Sequence, residues 1–312
     1  MLLFDDNSTS YVGVFDGLGG AGAKRYDTVA GPQSGARIAA FECSSMYQRW
    51  VQDNGNAFDL SALGVRFRVG LSEVAGRYPM SDSLIKSKMI RDFPSTMAVS
   101  KLSAIEEGRA EITCGWAGDS RIYALSPAEG LTQISTDHIK NRVDAQQNLL
   151  LDAPLSNFLH AGGAFKVEWC RFTQTLPLAL IVATDGCFGY LPSPLHFEQI
   201  ILDAVTNSKS LTECKEALSK SIENTTSDDA SMVVVFCGWN NWVEVGQSFA
   251  KRLTKIQRLS QSFRDADKAV ATFTQLLEEA TVHRVDELND LWRSYRISYE
   301  STLRTSIVEV KE

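Results

Sequence analysis

The spacing of hydrophobic positions changes several times along the chain, and each spacing predicts a different element. Apolar residues at helical spacing predict helices over residues 31–52, 60–75, 197–205 and 211–222. Short runs rich in Ile, Val, Thr and Tyr predict strands at 11–16, 96–102, 111–116, 121–125, 165–172, 178–183 and 232–236. Strands and helices are segregated along the chain, which favours an α+β fold over strict alternation of strand and helix.

After Gly238 the apolar positions fall three or four residues apart, and no Pro or Gly follows Gly246. This pattern predicts long amphipathic helices. Gly238, Asn240 and Asn241 mark a plausible boundary, so the sequence predicts a main domain of residues 1–238 and a helical extension of residues 239–312. The apolar face of the extension packs either on the main domain, or on itself, or against a partner or second copy.

Composition excludes several classes of protein. The 312 residues carry a net charge of -7, and no cluster of Lys and Arg is interleaved with aromatic residues, so no nucleic-acid partner is expected. No apolar stretch has membrane-spanning length and the first residues do not resemble a signal peptide, which predicts no membrane partner and a cytoplasmic location. The six cysteines and four histidines are dispersed, which indicates free thiols and leaves oxygen as the only ligand type for a metal.

Acidic residues stand where predicted strands end. Asp16 follows an apolar run and enters a glycine-rich turn, Asp185 and Asp119 follow later strands, and Asp228 precedes the last one. Each aspartate alone is typical of a turn or a helix cap. Together with the carbonyl of Gly17, however, they supply the oxygen ligands that Mg²⁺ and Mn²⁺ prefer.

Six segments in order, VFDGLGG, FPSTMAV, AGDSRIYAL, STDH, ATDG and SDDASMVVV, resemble the motifs of the metal-dependent protein phosphatases, the protein phosphatase 2C or PPM family, and its bacterial members in particular. The resemblance covers roughly the first three quarters of the chain. It implies a layered α-β-β-α sandwich, in which two antiparallel sheets are flanked by helices, followed here by the C-terminal helical extension.

The resemblance also implies an activity and its residues. The chain is expected to hydrolyse phosphoserine and phosphothreonine in a signalling protein, through a water activated by two Mn²⁺ or Mg²⁺ ions. Asp16 would bridge the ions, the Gly17 carbonyl would bind one, Asp185 and Asp228 would complete the first, and Asp119 matches the residue of a weaker third. Asp16, Asp185 and Asp228 are therefore the expected catalytic residues. The expected partner is a phosphoprotein, either a cognate kinase or its target.

Other residues near these motifs are expected to be structural. Ser95 and Thr96 match a pair of hydroxyl groups in the family, and His138 belongs to an Asp-His pair that shapes the scaffold. Asp229 is expected to point away from Asp228 on a strand-like backbone, so it is not predicted as a ligand.

The chain departs from the family pattern in three places. Leu18 replaces a histidine that is proposed to protonate the leaving group, and Cys187 stands where many relatives have another acid. The family's first strand, with an arginine and an acidic motif, has no counterpart here, and Asp5 and Asp6 are not expected to replace it. A catalytically weak or silent phosphatase-like module that binds a phosphoprotein or partner is therefore the alternative.

The glycines at positions 17, 19 and 22 also satisfy the spacing of a dinucleotide-binding loop. That fold needs a helix starting at the glycines, and Gly31 and Pro32 interrupt the segment that would form it. The metal-hydrolase interpretation is preferred.

Overall fold

The computed structural model describes residues 2–6, 9–55, 57–78, 92–105, 108–140, 144, 146 and 154–300. The chain divides into two compact units, Met1–Ile256 and Gln257–Glu312. The first unit contains every strand in the described residues, and the second consists mainly of one long helix.

Two antiparallel sheets form the centre of the first unit. The first sheet has the order β1-β2-β5-β6-β10, with β9 paired to β5. Its strands are β1 Leu2–Asp6, β2 Thr9–Gly17, β5 Asp92–Ile105, β6 Arg109–Ala117, β9 Leu159–Ala161 and β10 Glu168–Thr175. The second sheet has the order β12-β11-β7-β8. Its strands are β7 Arg121–Ser126, β8 Gly130–Gln133, β11 Leu178–Ala183 and β12 Met232–Cys237.

Helices cover the outer face of each sheet. Helices α1 (Gly35–Asn54) and α2 (Leu60–Arg77) lie on the first sheet, and their first turns are capped by the side chains of Ser34 and Asp59. On the second sheet lie α3 Pro194–Asn207, α4 Leu211–Glu223 and α5 Trp242–Leu259. A further helix, α6, spans Gln261–Tyr299.

The buried apolar residues form three layers, which identify an α-β-β-α sandwich. Tyr47 and Phe67 pack between the first pair of helices and their sheet. Val14 and Val182 belong to the layer between the two sheets. Phe197 belongs to the layer between the second sheet and its helices. The predicted α+β class and the layered architecture are confirmed.

Two parts of the structure differ from the sequence prediction. Residues 25–34 form a hairpin of β3 (Arg25–Thr28) and β4 (Gly31–Ser34), so the helix predicted from residue 31 begins at Gly35. Helix α5 buries Val245 and Phe249 in the core of the first unit, which therefore extends to Ile256 and past the predicted boundary at residue 238. The last predicted residues of the extension, 301–312, lie outside the described residues.

Within the described part of the chain, no helix combines the length and the apolar character needed to cross a bilayer.

Candidate metal centre

Asp16 is held at the end of the central strand β2. In the register of the first sheet it lies opposite Thr96 of β5, and Gly17 lies opposite Ser95. A Cβ atom on Gly17 would collide with the carbonyl of Ala36, in the first turn of α1. A glycine after Asp16 therefore lets the helix start approach this strand end closely.

Asp119 lies in the short turn that carries the chain from the first sheet to the second. Gly118 has φ +104°, a conformation that favours glycine, and a Cβ there would also contact the Thr96 side chain. The Gly118 amide donates to Nδ1 of His138 at 3.0 Å, and its carbonyl accepts from the His138 amide at 2.9 Å. Ser120 and Thr96 share a hydroxyl hydrogen bond of 2.7 Å. These contacts fix the backbone on both sides of Asp119.

Asp185 starts a short 3₁₀ turn at the end of β11. Its Oδ1 accepts a hydrogen bond of 2.9 Å from the Gly186 amide. A Cβ on Gly186 would collide with the carbonyl oxygen of Asp229. Glycine at this position lets the loop that carries Asp228 pass directly over the turn that carries Asp185.

The loop before β12 is tied to the same strand end. The amide of Thr184 donates to the Ser231 carbonyl at 2.9 Å, and the Ser231 amide donates to Oγ1 of Thr184 at 2.9 Å. Further along the loop, Oδ1 of Asp228 accepts a 2.7 Å hydrogen bond from the Asp229 amide. Both of these aspartates are exposed, whereas Asp185 is half-buried.

The carboxylates influence one another strongly. Burial raises the pKa of Asp16 to about 9, together with a hydrogen bond to Asp185 and the negative charges of Asp185, Asp228 and Asp119. Burial and the charge of Asp185 also raise the pKa of Asp119 to about 7. Four acids from four separate segments are thus brought into one electrostatic cluster, which we call the acid cluster.

The acid cluster has the chemistry of a hard-cation site but is not a closed ligand set. Among the described residues, no three Asp, Glu, His or Cys side chains are arranged to hold a metal ion as they stand. Instead, burial and the neighbouring Asp185 carboxylate raise the pKa of Asp16 to about 9, which favours a proton on Asp16 at neutral pH. Because that proton does what a cation would do, the donors fit a divalent ion that replaces it.

Arg121 is a site residue that the sequence interpretation missed. Its guanidinium donates to both oxygens of the Asp137 carboxylate, and both side chains are buried. It also lies 4.4 Å from the centre of the Phe188 ring, just after the Asp185 turn. The signal was available, because Arg121 and Asp137 stand inside two of the matched segments, AGDSRIYAL and STDH.

Comparison of whole structures decides the fold family. The crystal structure of the serine/threonine phosphatase Stp1 from Staphylococcus aureus superposes with a TM-score of 0.50 at 12% identity, over 75% of this chain and 86% of that chain. The chain has the fold of the PPM-type phosphatases. Two other PPM-fold structures score slightly lower. The Mycobacterium tuberculosis phosphatase PstP gives a TM-score of 0.49 at 16% identity, with 75% and 89% of the two chains covered. The phosphatase MsPP of Mycobacterium smegmatis, solved with cacodylate, gives 0.49 at 16% identity, with 75% and 90% covered.

Sequence comparison alone does not identify this PPM-type fold. No family model matches the chain, and no curated protein matches it significantly. The likeness therefore lies in the three-dimensional architecture, and at this level of identity it establishes the fold alone.

Proposed function

We propose that this chain is a Mn²⁺- or Mg²⁺-dependent phosphatase of phosphoserine and phosphothreonine in proteins, with a phosphorylated kinase or its target as substrate. The observation that carries the proposal is the acid cluster, in which Asp16, Asp119, Asp185 and Asp228 act on one another although they come from four separate segments. Four like-charged carboxylates placed within reach of one another, without a cation to hold, would be costly for the fold. The PPM-type fold supports the same activity.

The chain's own residues would hold two ions. Asp16 would release its proton, and both its carboxylate and that of Asp185 would serve as ligands with the Gly17 carbonyl and Asp228. Asp119 would be the ligand for a weaker third ion. When bound, such ions lower the pKa of a coordinated water and neutralise the charge that develops on a phosphoryl group. No protein nucleophile is then required.

The surrounding residues position these ligands. The Gly118 amide donates to the His138 ring, and the Gly118 carbonyl accepts from the His138 amide. These two hydrogen bonds fix the turn that carries Asp119. Thr96 hydrogen-bonds Ser120 on the other side of that turn and faces Asp16 across the sheet. We assign these residues the role of holding the carboxylates in place, because their hydrogen bonds fix the backbone beside Asp119 and Asp16.

The test is hydrolysis of an aryl phosphate and a phosphothreonine peptide during a Mn²⁺ titration, with Asp185→Asn as the ligand variant. We expect the variant to lose on the order of a hundredfold or more in rate. It should also lose the increase in melting temperature that Mn²⁺ produces in the unmodified protein. Asp229→Asn is the matched control, an exposed neighbour of Asp228 that should keep both properties. Turnover near the original level in Asp185→Asn would contradict the assignment.

One observation favours a second function. Leu18 follows the Asp16-Gly17 pair and has no group that can protonate a leaving oxygen. A metal-binding module that recognises a phosphoprotein without hydrolysing it would still show thermal stabilisation by Mn²⁺. Stabilisation lost in Asp185→Asn, together with no turnover on either substrate in the unmodified protein, would identify that module.

A further inference from the structure

Helix α6 has many large apolar side chains that are exposed to solvent. It is 39 residues long, which corresponds to about 58 Å at 1.5 Å per residue. Leu277 is 69% exposed and Val270 is 62% exposed, and many other large apolar side chains of the helix are similarly open. Most of a helix's stability in a protein comes from packing one apolar face, and within the described residues this face of the helix is exposed.

The exposed residues are ordered along one strip of the helix. At about 100° per residue, members of the strip fall within about 40° of a single line along the axis. They are Phe263, Val270, Leu277, Thr281, Val285, Leu288, Trp292, Tyr295 and Tyr299. Because the spacing follows the 3.6-residue period with little drift, a straight partner helix can cover the strip over its whole length.

Apolar residues of the strip are placed at nearly the same distances on either side of Thr281. Leu277 and Val285 stand four residues on either side of it, and Val270 and Trp292 stand eleven residues on either side. A second copy of the same helix, running antiparallel with a two-fold axis beside Thr281, therefore sets apolar residues against apolar residues. Val270 of one copy would face Trp292 of the other, which pairs a small side chain with a large one.

Charges on the helix favour the antiparallel orientation. Asp267 also lies on the strip, and in a parallel pair it would face Asp267 of the second copy. In the antiparallel pair it faces Arg296 of the second copy. The Nε of Arg296 donates to Glu300 of its own chain at 2.7 Å, which leaves further guanidinium donors for Asp267. Residues beside the strip favour the same orientation, because Phe273 of one copy then lies against Leu291 of the second copy.

We propose that α6 is a self-association site, at which two copies of this chain pair their α6 helices antiparallel about Thr281. The interface excludes water from both strips and places each Asp267 beside an arginine. None of its residues belongs to the acid cluster, so pairing would bring two copies of that cluster into one particle without adding a residue to either.

Light scattering on the full chain tests the association. The unmodified protein should have the mass of a dimer at micromolar concentration, whereas Leu277→Asp should raise the dissociation constant by about a hundredfold and give a monomer. Leu276→Asp is the matched control, because it makes the same change at the adjacent exposed residue, about 100° away from the strip. It should remain a dimer. A monomeric unmodified protein, or equal effects of the two variants, would overturn the proposal.

Cysteine cross-linking tests the orientation. Thr281→Cys places two thiols beside the two-fold axis, so oxidised glutathione should convert the pair to a disulfide-linked dimer with release of two reduced glutathione molecules. Val270→Cys, on the same strip, should not cross-link, because its two copies would be about 33 Å apart along the axis. Equal cross-linking at both positions would indicate a parallel pair and would overturn the antiparallel proposal.

Discussion

Arg121 grips Asp137 with two parallel hydrogen bonds, from Nε to Oδ1 at 2.9 Å and from Nη2 to Oδ2 at 2.6 Å. Arg121 follows the turn of Asp119, and Asp137 precedes His138, whose ring accepts from that turn. The guanidinium also stacks on Phe188. This ion pair therefore links the segments that carry Asp119 and Asp185 to the segment of Asp137 and His138.

Replacing Asp137 with Asn should destabilise the fold strongly. The change leaves the Arg121 charge buried without a counter-ion, a loss of about 3–5 kcal/mol in the free energy of unfolding measured with urea. The side chains of this pair are 3% and 4% exposed, whereas those of Arg171 and Glu111, 2.7 Å apart, are 60% and 34% exposed. Glu111→Gln is the matched control and should cost less than about 1 kcal/mol. Equal losses in the free energy of unfolding would show that burial does not determine how much the Arg121–Asp137 pair stabilises the fold.

Gly186→Ala should weaken metal binding without unfolding the protein. A Cβ at this position collides with the Asp229 carbonyl, so the loop that carries Asp228 has to move away from Asp185. We expect the apparent Mn²⁺ dissociation constant to rise by about tenfold or more, measured by calorimetry, because ligands must be held within fractions of an ångström.

The control for that substitution is Gly19→Ala. Gly19 lies in the turn after Asp16, yet a Cβ there would meet no atom within 4 Å. The Gly19→Ala variant should bind Mn²⁺ with unchanged affinity. If Gly186→Ala matched Gly19→Ala in affinity, the close approach of the two loops would not matter for the site.

The metal-free protein should lose stability as the pH rises. The pKa of Asp16 is raised from 3.8 to about 9, so the folded state binds a proton that the unfolded state releases between these values. The free energy of unfolding therefore falls from about pH 4 to about pH 9. Asp16→Asn removes the titration, and its melting temperature should fall less between pH 5.5 and 8.5, by a difference of about 5 °C or more. Parallel curves for the two proteins would contradict the raised pKa.

The strand ends were predictable because local pattern determines them. Asp16 and Asp185 each follow an apolar run and precede a glycine, and the structure places both at the ends of β2 and β11. Their convergence could be expected only from the resemblance, since no spacing in the sequence reports the 3D distance between two strands of different sheets. Asp119 joins them because β6 and β7, which flank it, belong to different sheets.

The hairpin at 25–34 and the end of the first unit were not predictable in the same way. Residues 31–34 read as a helix start because the apolar periodicity of α1 follows them, while Gly31 takes φ +93° in the hairpin turn. Helix α5 has an amphipathic pattern that does not tell which surface its apolar face contacts. Only the tertiary contacts of Phe249 show that this face packs in the core of the first unit. The direction of an apolar face is visible in a sequence, but the surface that it packs against is not.

Cys170 should be the most reactive thiol at neutral pH. It lies opposite Cys114 in the register of β10 and β6, and the hydrogen bond from Cys114 lowers the pKa of the Cys170 thiol to about 7. Burial raises the pKa of Cys43 and Cys187. Mass spectrometry after brief iodoacetamide treatment at pH 7 should find Cys170 modified first.

Cys114→Ala provides the control for that prediction, because it removes the donor and lets the pKa of Cys170 rise. The rate of modification at pH 7 should fall several-fold, and the difference should vanish above about pH 9, where the thiol ionises in both proteins. Equal rates at pH 7 would show that Cys114 does not activate its neighbour.

Leu18→His should raise turnover on a phosphothreonine peptide more than on an aryl phosphate. Leu18 is half-buried beside the Asp16-Gly17 pair, and its backbone amide donates a 3.3 Å hydrogen bond to the Pro94 carbonyl, which a histidine at this position can also make. An alkoxide leaving group needs a proton, whereas an aryl oxide leaves readily without one, and a histidine has a pKa suited to donating it near pH 7. We expect a gain of about tenfold or more on the peptide in the Mn²⁺-dependent assay, and little change on the aryl phosphate.

Leu18→Gln separates proton donation from polarity at this position. It has a similar size and a hydrogen-bonding side chain, but it cannot release a proton, so its rates should stay near those of the unmodified protein on both substrates. The gain with histidine should also fall above about pH 7.5, because the imidazole then loses its proton. Equal gains on both substrates, or the same gain with glutamine, would show that Leu18 does not limit catalysis through the missing acid.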